Sequence, residues 1–166
     1  MMKGRNRSPH SKPVLIAEGE FSTDEAIEAV KRDDAGAVVA FIGTVRDDGI
    51  DELHLETYKE AAGEGLLAIR EEALARFGLL EAVVIHRSGR LRIGDEIVIV
   101  ACSAAHRGEA FDGCRYTLEE LKRRAPIWKK EVGPAGERWI KGGESPAQPH
   151  PGEERPHEDG DDHKAG

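Results

Sequence analysis

The sequence predicts an α+β fold, a mixed and largely antiparallel sheet with packed helices. Three observations carry that expectation. Short apolar, β-branched runs are interleaved with segments of helical periodicity. Two of the strand-to-strand connections are too short to hold a crossover helix, which argues against a doubly wound parallel sheet. A chain of 166 residues is also long enough for one domain with a real core.

The elements follow in order. Residues 14–17 (VLIA) read as a short strand. Ser22-Thr-Asp-Glu25 is a capping box opening a helix to about Arg32, with Ala26, Ile27 and Val30 inward. Residues 37–45 (AVVAFIGTV) form an unbroken apolar run, expected to be a buried strand ending at Arg46. Residues 52–58 alternate strictly and predict a half-buried strand, expected to lie antiparallel to the preceding one across the loop DDGID. The helix over 60–77 places Leu66, Ile69, Ala73, Leu74 and Phe77 on one side and ends at Gly78. Strands at 81–89 and 95–104 come next, joined by a turn-rich stretch. The last helix, about Gly108 to Arg124, has Ala110, Phe111, Cys114, Leu118 and Leu121 as its inner stripe and stops at Pro126. Residues 127–132 and 138–141 read as extended.

Composition bounds the rest. Residues 1–13 are basic but lead into no apolar segment, and are expected to be a disordered extension rather than a signal. Residues 14–141 form the expected domain, and 142–166 an acidic, proline-rich disordered tail. Its histidines, His150, His157 and His163, match no metal-binding spacing, and no metal is expected. Cys102 and Cys114 lie in apolar contexts and suit a reducing cytoplasm. No apolar run approaches the roughly 20 residues of a membrane span. The formal charge of −8 argues against general nucleic-acid binding.

Against that acidic background, basic residues at the ends of buried elements are informative. Arg46 ends an apolar strand. His106-Arg107 follows another and precedes a helix, where backbone N–H groups and two cations can meet an anion. Lys122 lies in the last turn of that helix, and Pro126-Ile-Trp-Lys-Lys-Glu131 follows. The proline fixes the exit, Trp128 can wall the site, and Lys129 can be held beside other cations, which lowers a lysine's pKa. His86-Arg87 and His54 read as structural or surface residues. No P-loop, Rossmann glycine pattern, HExxH or CxxC occurs.

The strings GAVVAFIGTVRDD (36–48), LHLETY (53–58), VVIHRSGRLRIGDEIVIV (83–100), SAAHRGEAF (103–111), LKRRAPIWKKE (121–131) and RWI (138–140) resemble the MoaE family, the catalytic large subunits of molybdopterin synthases. The resemblance spans about residues 14–141 and implies an α/β-hammerhead-like fold. It implies conversion of cyclic pyranopterin monophosphate to molybdopterin by sulfur transfer. The sulfur would come from a small ubiquitin-like subunit whose C-terminal Gly-Gly carries a thiocarboxylate, supplied as a separate chain. It implies a homodimer within a heterotetramer in the cytoplasm, with no cofactor. Lys122 and Lys129 match the lysines assigned to catalysis. Thr44, Val45, Arg46, His106, Arg107, Lys130 and Glu131 match substrate-binding positions. The alternatives are a non-catalytic homologue that only docks a ubiquitin-like carrier, and an unrelated phosphate-binding enzyme.

Overall fold

Ser22 caps the first helix as its sequence signature requires: its hydroxyl accepts the Glu25 backbone N–H at 3.2 Å. The computed structural model describes residues 12–140. The expected disorder of the N-terminal extension up to Ser11 and of the tail from Gly142 lies outside the described residues. Pro13, assigned to the extension, already engages the sheet, its carbonyl accepting the Val84 N–H at 2.9 Å.

The chain forms β1 (Val14–Ala17), α1 (Thr23–Val30), β2 (Ala37–Thr44), β3 (Glu52–Thr57), α2 (Lys59–Phe77), β4 (Glu81–Arg87), β5 (Gly89–Arg92), β6 (Glu96–Ala104), α3 (Arg107–Arg124), β7 (Ile127–Gly133) and β8 (Gly136–Ile140). The α+β expectation holds, but the strands divide into two four-stranded sheets. One runs β1-β4-β6-β2 and the other β5-β3-β7-β8. Among the described residues only β1 and β4 pair in parallel.

Helices α2 and α3 cover one face of the first sheet. Leu66, Ile69 and Ala73 from α2 and Ala110, Cys114 and Leu121 from α3 join Ala82, Val84, Val100 and Cys102 in the main core. The inner face of the second sheet adds Leu53, Leu55 and Leu91 to the same cluster. Helix α1 covers the opposite face of the first sheet, with Ala26 and Val30 against Val83, Ile99 and Ala101. Each large aliphatic side chain buried here stabilises the fold by about 1.5–3 kcal/mol. Both cysteines are free and buried.

Three expectations are corrected. β3 does not pair with β2. The Val45 N–H donates to the Asp95 carbonyl and the Gly94 N–H to the Val45 carbonyl, holding the end of β2 on the β5–β6 turn. The loop then crosses to the second sheet, where the Asp51 N–H donates to the Val132 carbonyl. Second, β2 is an edge strand, not a strand buried on both faces. Ala37, Val39 and Phe41 pack inward while Val38 and Ile42 are exposed. Third, Phe111 is 61% exposed. The inner stripe of α3 uses Gly113 and Thr117 instead, because Leu79 fills the space over Gly113 and leaves no room for a side chain there. The turn-rich stretch after Arg87 also contains a strand, β5, too short to announce itself by alternation.

Candidate active site

Lys129 is the chemically informative residue. It stands opposite Leu55 in the β3–β7 ladder, so its side chain starts on the face of the second sheet that carries the core. Burial, and then the nearby Lys122 ammonium, hold its pKa below the usual 10.5. No carboxylate lies within ion-pair distance of it among the described residues. A lysine kept in that state has a larger neutral fraction near pH 7 than a solvated one, which general acid–base work requires.

Lys122 reaches the same region from the last turn of α3. Its two basic neighbours are neutralised. The Arg124 guanidinium grips Glu72 of α2 at 2.6 and 3.0 Å and also meets Glu120, while Arg123 bonds Glu120 at 2.7 Å. Lys122 has no such partner among the described residues and is exposed. The Ala125 N–H closes the helix onto the Leu121 carbonyl, and the Pro126 carbonyl accepts the Thr57 hydroxyl at 2.9 Å. These bonds fix the corner between the two lysines. Trp128 points the other way and meets Tyr58 edge-on at 5.6 Å.

Lys130 does not share this face. Successive strand residues alternate, and its ammonium lies 3.1 Å from Glu137 and 5.4 Å from the centre of the Trp139 ring. Glu131 returns to the inner face opposite Leu53 and accepts from Arg138 at 2.6 Å.

Arg46 follows the Thr44 bulge, where the register of β2 against β6 shifts. Thr44 is exposed, Val45 is buried, and the backbone bonds of Val45 fix the point from which Arg46 departs. Its guanidinium is 83% exposed and grips Asp48 with bonds of 2.9 Å. Asp48 joins the site without any motif to mark it. Its spacing two residues on, across a polar turn, was the available signal.

His106 and Arg107 lie elsewhere in the protomer. His106 is the extended N-cap of α3 and makes no side-chain cap bond. Together with Gly36, Ala105 and Gly108 the pair lines an open recess of about 610 Å³. Gly36 is obligatory there, because a Cβ would lie 2.3 Å from the Ala105 carbonyl oxygen. Fifteen residues of α3 separate Arg107 from Lys122, a rise of about 22 Å. Arg46 is likewise at the far end of β2, since Ala37 pairs with Ala104 and Thr44 with Glu96. The five basic residues therefore form two groups within one chain: Arg46, Lys122 and Lys129 towards one end, His106 and Arg107 at the other.

Comparison with known proteins decides the family. The profile of the MoaE protein family matches residues 16–124. The chain belongs to the MoaE family.

Among MoaE relatives, the molybdopterin synthase catalytic subunit of Pyrococcus abyssi is 41% identical over 137 residues, covering 80% of this chain and 93% of that protein. The Escherichia coli K12 protein of the same name is 40% identical over 140 residues, covering 81% and 93%. The crystal structure of molybdopterin synthase from Staphylococcus aureus superposes with a TM-score of 0.75 at 33% identity, over 80% of this chain and 99% of that one. No helix among the described residues of this MoaE chain is long and apolar enough to cross a membrane.

Proposed function

We propose that this chain is the catalytic subunit of a molybdopterin synthase, a sulfurtransferase acting on cyclic pyranopterin monophosphate in the cytoplasm. The observation that carries the reading is Lys129, half-buried, without a carboxylate partner among the described residues and next to Lys122. The donor is the thiocarboxylate at the Gly-Gly terminus of a small ubiquitin-like subunit. Its sulfur bonds to substrate carbon as a carbon–oxygen bond breaks, and a lysine ammonium protonates the departing oxygen. Water then cleaves the thioester between substrate and partner, leaving sulfur on the substrate and a carboxylate on the partner. Two such rounds supply the dithiolene. Arg46, with Thr44 and Val45 fixing its backbone, is the anion grip at the lysine end. Glu131 lines the same inner face, and Lys130 acts from the outer one.

The separation of the basic residues supports a homodimer, within the heterotetramer that the sulfur-carrying subunits complete. Among the described residues β2 is an edge strand, with Val38 and Ile42 exposed. Two copies paired antiparallel along it would set the Thr44 end of one strand against the Ala37 end of the other. Arg46, Lys122 and Lys129 of one protomer would then face His106 and Arg107 of the partner subunit.

The alternative is a homologue that only docks a ubiquitin-like carrier. A lysine kept partly buried at the cost of a lowered proton affinity favours chemistry over docking. The test is reconstitution of the purified chain with thiocarboxylated small subunit and the cyclic precursor, following the dithiolene product. Turnover by the wild type and its loss in Lys129→Ala, with partner binding retained, is the expected result. Partner binding without product sinks the catalytic reading.

A further inference from the structure

His86 is a buried imidazole to which the proposed reaction gives no task. It is 3% exposed, at the end of β4. Along that strand Ala82 and Val84 point into the main core while Val83 and Ile85 face α1. Alternation therefore puts His86 on the main-core face. Lys129 projects from the inner face of the second sheet into the same interlayer, as its register with Leu55 requires. The two side chains project from facing sheets, the imidazole buried and the lysine half-buried.

The imidazole is fixed in one tautomer. Its Nδ1 lies 2.7 Å from the Arg87 carbonyl oxygen, so Nδ1–H donates and Nε2 keeps a lone pair. Burial drives the imidazole's pKa down to about 4, the Arg87 carbonyl opposes that shift, and the Lys129 ammonium adds to it. The ring is neutral at physiological pH, and it senses the lysine.

We propose that His86 is a positioning residue for Lys129, its neutral imidazole offering the Nε2 lone pair to the lysine head group across the gap between the sheets. A carboxylate at that place would lock the lysine as an ammonium. An apolar residue would leave the ammonium without an acceptor. A neutral acceptor orients the amine while letting it exchange its proton. The other charged groups near the pair are few. Lys122 faces Lys129 from α3. Glu131, with its partner Arg138, lies two residues along the same face of β7. Arg70 and Glu81 pair with each other at the far end of β4, and Arg87 meets Asp95 from the opposite face of β4. The cross-strand partners of His86, Ile16 on β1 and Val98 on β6, are apolar.

The inference rests on Lys129 as the reacting lysine, and its test is read without turnover. In the full chain, the rate of Lys129 acetylation by trace acetic anhydride is followed against pH by peptide mass spectrometry. Wild type is compared with His86→Gln, whose amide oxygen can stand near the Nε2 position, and with His86→Leu. Losing the acceptor destabilises the ammonium, so His86→Leu should move the labelling midpoint down by about one pH unit. His86→Gln should leave it near the wild-type value. His86→Asn keeps a donor for the Arg87 carbonyl but cannot reach across the gap, so it should behave as His86→Leu does and serves if the leucine variant does not fold. In reconstituted enzyme, kcat should fall at least about tenfold in the asparagine and leucine variants, with KM little changed. A midpoint unmoved in every folded variant overturns the assignment, as does a glutamine variant indistinguishable from asparagine. Those results leave the synthase reading standing. A shifted midpoint in a chain that makes no product would sink the synthase reading and keep the His86–Lys129 link.

Discussion

Lys129 and Leu55 are cross-strand partners in the β3–β7 ladder, and Leu55 is only 2% exposed. A lysine thus shares its face with core, and its proton affinity is lowered in consequence. Between the lowered folded value and the unfolded value near 10.5 the native state binds fewer protons than the unfolded one. Stability therefore rises with pH through that window. Lys129→Met should raise Tm at pH 7 and abolish product formation, and the gain in Tm should shrink as the pH approaches 10. Thermal melts at several pH values check this, and a Tm lowered at pH 7 would show the lysine to be a structural asset.

The two-ended arrangement predicts complementation between inactive chains. Lys129→Ala and Arg107→Ala should each be inactive as homodimers. Mixed and reassorted, they should recover about a quarter of wild-type activity, because half the dimers are mixed and one of their two sites is intact. No recovery after verified exchange would mean that each site is built within one protomer.

Asp48 occupies the Arg46 guanidinium. Asp48→Asn should lower KM for the cyclic phosphate by several-fold, since an anion would no longer compete with a tethered carboxylate. Exposed pairs contribute little to folding, so Tm should move by less than about 2 degrees. Steady-state kinetics and a melt decide it, and a raised KM would make Asp48 part of the grip.

His86 is held neutral with its pKa near 4 against an ordinary 6.5. Unfolding lets the ring take a proton between those values, so its contribution is present above pH 6.5 and is lost as the pH falls towards 4. The loss is about 3 kcal/mol. His86→Gln should flatten the decline in stability between pH 6.5 and 4, as denaturant titrations at fixed pH would record.

Gly36→Ala should destabilise the chain by about 2 kcal/mol, because its Cβ would meet the Ala105 backbone carbonyl at 2.3 Å. It should also displace His106 and weaken inorganic phosphate binding at that recess. A chemical melt and a phosphate titration separate the two effects.

Much of the fold was legible because its signals are local. The Ser22 cap, the Gly78 stop at φ 63°, the alternation of 52–57 and the Pro126 break each act within a few residues. Which sheet a strand joins depends on partners far away in sequence, and so β3 was assigned to the wrong neighbour. The apolar run of β2 suggested burial on both faces, yet its outer residues Val38 and Ile42 are uncovered in a single chain. Phe111 misled for a related reason: helical spacing shows which residues share a stripe but not which stripe turns inward, and Gly113 marked the true side. The candidate basic residues could be named from the sequence. The expected helix already separated His106-Arg107 from Lys122, but that Arg46 and Lys129 lie at the Lys122 end depends on long-range strand pairings that chain order does not report. His86 looked structural because a buried, hydrogen-bonded histidine leaves no trace in sequence of what it faces.

The adjacent lysines of β7 have a consequence for folding. Sliding β7 by one residue would still bring a lysine to the inner face, Lys130 in place of Lys129. The doublet is therefore blind to register. What selects the native alignment is its surroundings: Ile127 rather than the bulkier Trp128 packed on the core, and the Pro126 carbonyl within reach of the Thr57 hydroxyl. A misaligned hairpin would keep its inward lysine and forfeit these contacts, making it an off-pathway competitor that the neighbours of Lys129, not Lys129 itself, must defeat.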